Sequence, residues 1–241
     1  MDIVYLLKED HENDSEALRY SLRSLKNIPH GKVFIAGEKP SWVKDVVYLP
    51  VEQSGTKPQN VKNNMHAAVG SDDLSDDFIL MNDDFFFMKP IPRMPTVNFG
   101  FMRDVLESYR RRYPEGSEYI ATMAELYAAL RRRGVDDPIS FELHAPMVFN
   151  KHKVRRLYQE VSERLYQFRT FYGNYFDVGG ETIPDVKIFL DDKHNTPEYI
   201  ADPTAYLQSL NFISVTGGAF NRGFPGDFVR SSFPEKCRYE V

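Results

Sequence analysis

Short apolar runs that alternate with amphipathic helices restrict the fold of the first hundred residues. The runs DIVYLL (2–7), GKVFIAG (31–37) and FILM (78–81) are typical of buried strands, and VKDVVYLPV contains a further one. Between the first two runs, NDSEALRYSLRSLKNI opens with N-cap residues and carries three leucines at helical spacing. QNVKNNMHAAVG has the character of another helix. This alternation predicts an α/β fold: a mostly parallel sheet with helices on both faces.

The middle of the chain has a different pattern. RDVLESYRRRYP and MAELYAALRRRG are amphipathic helices, and NKHKVRRLYQEVSERLYQF (150–168) is a longer one. Loop and strand patterns return after residue 171. We therefore expect one domain over 1–241, in which an α/β core carries a helical insertion at 100–170.

Charge and cysteine content exclude several classes of protein. The net charge of −5 argues against wholesale binding to nucleic acid or to a membrane surface. A single cysteine, Cys237, excludes an intrachain disulfide framework. The N-terminus has no signal-peptide pattern, and no apolar run approaches the ~20 residues that span a bilayer. We expect a cytoplasmic protein without integral membrane contact.

Two adjacent carboxylates stand between two apolar runs in FILMNDDFFFMKP (78–90). In an open parallel sheet, ligands bind beyond the carboxyl ends of the strands, where Asn82, Asp83 and Asp84 would emerge. Their oxygen atoms suit Mg²⁺ or Mn²⁺, which can bridge the phosphates of a nucleotide. The alternative is an acidic turn with a capping aspartate, since Asn-Asp pairs are common in turns. The motif alone favours neither.

The same residues carry a resemblance to a known family. DIVYLL, ALRYSLRSL, KVFIAGEKPSWV and LSDDFILMNDDFFFMKPI resemble, in order and spacing, the first blocks of the Stealth family of capsular-polysaccharide sugar-phosphate transferases, which are related to N-acetylglucosamine-1-phosphotransferase. FELHAPMVFNKHKVRRL, QFRTFYGNYF and FPEKCRYE resemble its later blocks. The family's T-W-V-D-G-S-D after the first strand is replaced by LLKEDHEND, and much of its spacer is missing.

The resemblance implies a fold, a donor and a division of labour. The fold is the GT-A-like, Rossmann-like fold of nucleotide-diphospho-sugar transferases, in a compact form of bacterial or phage type. The donor is a nucleotide-diphospho-sugar, with a UDP-sugar expected, and the cofactor is Mn²⁺ or Mg²⁺. Residues 1–99 would form the nucleotide-sugar-binding half, and 171–241 the acceptor-side half.

The resemblance also assigns roles to individual residues. Asp83 and Asp84 would hold the metal and the diphosphate, with Asp84 also catalytic, and Asn82 would orient their loop on the donor side. Arg169 would grip a phosphate, because arginine binds phosphate oxygens bidentately. Its alternative is a surface arginine at a helix end. His144 would be the catalytic base or a metal ligand, because histidine side chains in general can accept a proton near neutral pH. A structural histidine is the alternative.

Two arginines on one helix face form a further candidate donor site. Arg19 and Arg23 are four residues apart in LRYSLRSL, so both can point the same way. They could reach the phosphates or the base of the donor. The alternative is a set of surface salt bridges to Glu12 or Glu16.

Two weaker signals concern polar and basic segments. Lys57 and Asn60 lie in SGTKPQNVKNN, before a helix N-terminus that would suit phosphate or hydroxyl binding, but the segment lacks P-loop spacing. The arginine runs 110–112 and 131–133 are typical of solvated helix ends. They are also the candidate binding site for an anionic acceptor.

Three functions follow from these observations. The first is a metal-dependent transferase that moves a sugar or sugar-1-phosphate to a hydroxyl of a glycan or other polymeric acceptor. The second is a phage-type DNA glycosyltransferase acting on hydroxymethylated bases, which the arginine runs suggest and the acidic total charge opposes. The third is a non-catalytic nucleotide-sugar-binding module, which the missing T-W-V-D-G segment suggests and the intact Asn-Asp-Asp opposes.

Overall fold

A computed structural model describes residues 1–8, 10–160 and 167–241 of the chain. The chain forms two compact units. The first consists of Met1–Met94, His144–His152 and Val186–Val241, and the second of Pro95–Leu143 and Lys153–Asp185. The helical insertion predicted at 100–170 therefore falls in the second unit, except for the segment that includes His144.

The strands and helices follow the predicted alternation at the start of the chain. The strands are β1 Asp2–Leu7, β2 Val33–Gly37, β3 Val47–Pro50, β4 Asp77–Met81, β5 Phe85–Phe87, β6 Val97–Asn98, β7 Met147–Asn150, β8 Glu181–Thr182, β9 Lys187–Ile188 and β10 Phe212–Val215. The α-helices are α1 Glu16–Ser24, α2 Lys57–Gly70, α3 Met102–Arg112, α4 Glu118–Arg132, α5 Lys151–Glu160, α6 Phe168–Tyr175, α7 Pro197–Ala201, α8 Pro203–Ser209, α9 Gly217–Arg222 and α10 Phe224–Ser232.

A five-stranded sheet is the centre of the first unit. Its order is β3-β2-β1-β4-β7, with the first four strands parallel and β7 antiparallel to β4. β2 and most of β1 and β4 are buried, as their continuous apolar runs require. The chain passes from β1 outward to β3 and then returns to the other side of β1 with β4. The strand order therefore reverses between β1 and β4, which is where open α/β sheets bind ligands.

A small second sheet begins directly after the acidic motif. Its order is β5-β10-β9, with β5 antiparallel and β9 parallel to β10. Ser21, Ser24 and Asn27 bond to the backbone of β5: Ser21 Oγ donates to Phe85 O (2.6 Å), Phe87 N donates to Ser24 Oγ (3.1 Å), and Asn27 Nδ2 donates to Phe87 O (2.7 Å). Three side chains from α1 and the turn after it thus satisfy β5 and fix its position.

The end of the chain packs on the start of the same unit. Glu240, whose side chain is fully buried, accepts hydrogen bonds from Arg23 Nε (2.7 Å) and Nη2 (2.8 Å) and from Arg19 Nη1 (3.1 Å). Val241 N donates to Trp42 O (3.0 Å). Although burial opposes its ionisation, the hydrogen bonds to Glu240 from Arg23, the Cys237 N–H and Arg19 lower its pKa to about 2. The tail is held by buried charge as well as by backbone bonds.

The second unit is mainly helical. Its two predicted amphipathic helices are confirmed as α3 and α4, and both bury apolar residues on one side. The longer helix predicted at 150–168 is confirmed over Lys151–Glu160, and its positions 161–166 lie outside the described residues. β6 and β8 pair in parallel. The side chain of Asn174, in α6, accepts a hydrogen bond from Ile139 N (2.8 Å) and donates one to Ile139 O (2.7 Å). Within the described ranges, no helix combines the length and apolar character needed to cross a bilayer.

Candidate active site

The two carboxylates of the acidic motif lie in a tight turn between β4 and β5. Phe85 N donates to Asn82 O (3.3 Å) and closes this turn. Asn82 is exposed, whereas Asp83 and Asp84 are half-buried. Because β4 borders the point where the strand order reverses, the turn stands at the edge where a ligand is expected.

Asp84 is fixed through one carboxylate oxygen. Ser214 Oγ donates to Asp84 Oδ2 (3.1 Å), and Lys187 Nζ lies 3.6 Å from the same oxygen. Val215 N donates to the backbone oxygen of Asp84 (3.1 Å). The other oxygen, Oδ1, is buried and has no hydrogen-bond partner among the described residues. A buried polar atom left in this way is what a bound ligand can satisfy.

The surroundings of Asp83 disfavour its charged form. Burial, together with the neighbouring charge of Asp84 and a smaller effect of Asp10, raises the pKa of Asp83 to about 6. Asp10 is exposed in the loop after β1 and accepts hydrogen bonds from the Asn13 N–H (3.2 Å) and Nδ2 (2.8 Å). The carboxyl ends of both β1 and β4 thus carry negative charge, which a cation or a cationic ligand would relieve.

A buried hydrogen-bond chain supports the acidic turn. The Tyr5 and Ser21 hydroxyls are 2.9 Å apart, and Ser21 donates its proton to Phe85 O. Tyr5 must therefore be the donor to Ser21, because a hydroxyl has one proton to give. Burial raises the pKa of Tyr5, so that it stays neutral. This chain joins β1, α1 and β5 directly behind the two aspartates.

His144 lies at the same sheet edge as the acidic turn. In the antiparallel pair of β4 and β7, Leu80 faces Met147, so β7 begins where β4 ends. His144 precedes Met147 by three residues and is half-buried. Its role as base or metal ligand stays a prediction, and Arg169, half-buried in α6 of the second unit, also keeps its predicted phosphate contact as a prediction.

Arg19 and Arg23 have protein partners that the sequence did not indicate. Besides Glu240, Arg23 donates to the Phe233 and Pro234 carbonyls (2.9 and 3.1 Å). Arg19 pairs with Asp14 (3.0 Å) and lies over the Trp42 ring. Glu12 and Glu16, the partners named in the alternative to donor binding, are not among these bonds. The donor-binding role of the two arginines stays a prediction. The observed contacts hold residues 233–240 against α1.

The remaining predicted positions lie in α2 and at the ends of two helices. Lys57 is exposed at the start of α2, and Asn60 is buried, with its Oδ1 accepting from Gly55 N (2.9 Å). Asn60 thereby shapes the loop before the helix. In the arginine runs, Arg111 pairs with Glu107 (2.8 Å) and Arg131 with Asp136 (3.4 Å). These ion pairs are what the solvated-helix interpretation predicts.

Sequence reasoning missed Lys187 and Ser214. Neither belongs to a motif with recognisable spacing, and each comes from a short strand of the small sheet, where Ser214 faces Lys187 on one side and Phe85 on the other. Only this pairing brings them to Asp84. No group of three His, Cys, Asp or Glu side chains within the described ranges is arranged to hold a metal. An ion at the acidic turn would therefore be held by Asp83 and Asp84 together with a bound substrate.

A solved galactosyltransferase structure shares this fold. The galactosyltransferase LgtC, solved in complex with donor and acceptor sugar analogues, aligns with a TM-score of 0.52 and 11% identity over 98% of this chain and 96% of that one. Mouse xyloside xylosyltransferase 1 in its apo form aligns with a TM-score of 0.44 and 10% identity over 90% of this chain and 98% of that one. No family model and no curated protein matches the sequence. The first likeness confirms the predicted GT-A-like α/β fold.

Proposed function

We propose that this chain is a nucleotide-sugar-dependent transferase that moves a sugar or sugar-1-phosphate to a hydroxyl of a glycan or other polymeric acceptor. The observation that carries the proposal is Asp84, whose Oδ2 is held by Ser214 and Lys187 while Oδ1 is buried without a partner among the described residues. It stands at the sheet edge where the fold binds ligands. The fold shared with LgtC supports this reading.

The acidic turn fits a divalent cation with a bound diphosphate. Mg²⁺ and Mn²⁺ are commonly held by one or two carboxylates together with substrate phosphates, and Asp83 and Asp84 supply that number. The raised pKa of Asp83 and the orphaned Oδ1 of Asp84 are both features that a cation would relieve. When bound, such an ion would neutralise charge on the leaving nucleotide diphosphate or monophosphate.

Further residues would bind and orient the reactants. Lys187 is a cation beside Asp84 and would attract donor phosphates, while Ser214 keeps the carboxylate in place. His144, at the same edge of the sheet, would accept the proton of the acceptor hydroxyl. Arg169 would contact a phosphate through its planar guanidinium.

The resemblance to the Stealth family bears on which bond of the donor is broken. If that resemblance reflects function, the chain transfers a sugar-1-phosphate and releases a nucleoside monophosphate. If only the fold is shared, it transfers the sugar and releases a nucleoside diphosphate. The two products differ by one phosphate and are readily separated.

A donor panel tests the proposal. The protein is incubated with UDP- and GDP-sugars and Mn²⁺, and the released nucleotide is identified by chromatography. We expect slow hydrolysis of at least one UDP-sugar, with UDP indicating sugar transfer and UMP indicating sugar-phosphate transfer. Asp84→Asn should abolish release, whereas Asp192→Asn, in the exposed Asp191-Asp192 pair of the same unit, should not. Failure of every donor to yield nucleotide or to bind would overturn the proposal.

A further inference from the structure

A cluster of tyrosine rings lies on the surface of the second unit. The Tyr109 ring is 5.5 Å from that of Tyr119 and 6.3 Å from that of Tyr113. Tyr113 and Tyr119 are each 39% exposed. Tyr109 is half-buried, and its ring contacts both of the others. A contiguous patch of exposed apolar surface is a common mark of a binding site.

Two carboxylates lie within electrostatic reach of the cluster. Burial, followed by the charges of Asp185 and, more weakly, Glu142, raises the pKa of Tyr109 to about 12. Partial burial and the same two carboxylates also raise the pKa of Tyr119. Glu142 is anchored in the unit, because its Oε1 accepts from Thr170 N (3.1 Å) near the start of α6.

We propose that the second unit carries a binding surface for a neutral saccharide, formed by Tyr109, Tyr113 and Tyr119 with Glu142 and Asp185. The C–H faces of a pyranose ring pack on exposed tyrosine rings, which are apolar in the plane and polar at the tip. Its hydroxyls donate to the carboxylates, and these charge-assisted bonds are stronger than neutral ones.

The charges around the rings select this class of ligand. The two carboxylates repel an anion such as a phosphorylated glycan or a nucleic acid. Arg112 lowers the pKa of Tyr109, so a positive charge also lies near the rings and weakens the attraction that the two carboxylates exert on a cationic ligand. A neutral molecule rich in hydroxyls satisfies both constraints.

The inference deepens the proposed function, because a saccharide is the acceptor class that such a transfer needs. Both carboxylates are also close in sequence to candidate active-site residues. Glu142 precedes His144 by two residues, and Asp185 precedes Lys187 by two residues. Binding to the tyrosine cluster is nevertheless a property of the second unit and is measurable without any donor.

Saccharide binding to the whole protein, without nucleotide, tests the inference. The panel is maltotriose, cellotriose, lactose, N,N′-diacetylchitobiose and mannobiose, with choline as a cationic probe, studied by saturation-transfer NMR and calorimetry. We expect at least one saccharide to bind, and Tyr119→Ala to weaken that binding about tenfold or more. Tyr48→Ala removes a tyrosine of matched exposure (40%) in the first unit and should leave affinity unchanged.

The outcomes separate this inference from the proposed function. Saccharide binding that Tyr119→Ala leaves intact, binding of choline alone, or no binding by any member of the panel would each overturn the saccharide surface. None of these results bears on nucleotide release from the donor panel. Thermal melts of Tyr119→Ala and Tyr48→Ala verify that both variants are folded.

Discussion

Lys187 and Asp84 are brought together by the pairing of three short strands, with Nζ of the lysine 3.6 Å from Oδ2 of the aspartate. Their side chains are only 18% and 21% exposed, so water screens their interaction incompletely. The lysine faces the same carboxylate that the proposed function assigns to the donor. It is therefore placed both to hold Asp84 and to attract donor phosphates.

Replacing Lys187 by methionine separates a functional from a structural role. The variant keeps most of the length of the side chain and removes its charge. We expect nucleotide release to fall about tenfold or more, because a positive charge near the leaving group is lost. The free energy of unfolding should change by less than about 1 kcal/mol, as for a partly exposed ion pair. Both are measured on purified protein, by chromatography and by urea denaturation.

Lys193→Met is the matched control for this experiment. Lys193 pairs with Asp191 at 2.9 Å in the same unit, but its side chain is 68% exposed. The control should retain full activity. Equal activity of the two variants would remove Lys187 from the site.

The raised pKa of Asp83 predicts a pH dependence of folding in metal-free buffer. The folded state binds this proton more tightly than an unfolded chain does, because the folded pKa is about 6 and the ordinary value is 3.8. The stabilising effect is present below the ordinary pKa and is lost as the pH rises through about 6. Relative to Asp83→Asn, wild type should lose about 1–3 kcal/mol of stability across this window.

Urea denaturation at a series of pH values measures this loss. Asp72→Asn, in the exposed loop before β4, serves as the control and should follow wild type at every pH. If the stability of wild type and of Asp83→Asn changes in parallel with pH, the pKa of Asp83 is not raised in the folded state.

The buried carboxylate of Glu240 predicts a large loss of stability in Glu240→Gln. The change keeps the shape of the side chain but leaves Arg23, itself 8% exposed, without its counter-ion. Removal of one partner of a buried pair costs about 3–5 kcal/mol. Because the pKa of Glu240 is lowered to about 2 from 4.5, its contribution is present above 4.5 and is lost as the pH falls through about 2.

Asp14→Asn is the control for Glu240→Gln. Asp14 bonds to the same Arg19, but its side chain is 71% exposed, so we expect a change within about 0.5 kcal/mol. Thermal and urea unfolding give both values. Similar losses in the two variants would show that burial of Glu240 does not set its contribution.

Local patterns made much of the first unit predictable. β1, β2 and β4 are continuous apolar runs, and α1 carries its leucines at helical spacing, so hydrophobic periodicity was enough to place them. The acidic turn was predictable as well, because it follows β4 directly. The strand reading of Phe85–Phe87 was missed, since a three-residue aromatic run has no period that separates a strand from loop packing.

Long-range pairing explains what the sequence did not reveal. Arg23 and Glu240 are 217 residues apart, and Arg230 pairs with Glu16 (2.8 Å) across a similar separation. Neither partner carries a local signal. Lys187 reaches Asp84 only because β9, β10 and β5 pair in that order. Such contacts depend on topology, which a single sequence specifies only through the whole fold.

Calorimetric titration of UDP-sugars in the presence of Mn²⁺, into wild type and into Asp84→Asn, tests the central claim most directly. We predict that wild type binds at least one UDP-sugar only when Mn²⁺ is present, because Asp83 and Asp84 together with the diphosphate complete the site. Asp84→Asn should remain folded, as its melting temperature will show, and should lose this binding by about tenfold or more. The account is contradicted if no UDP-sugar binds to wild type, or if Asp84→Asn binds the donor as well as wild type does.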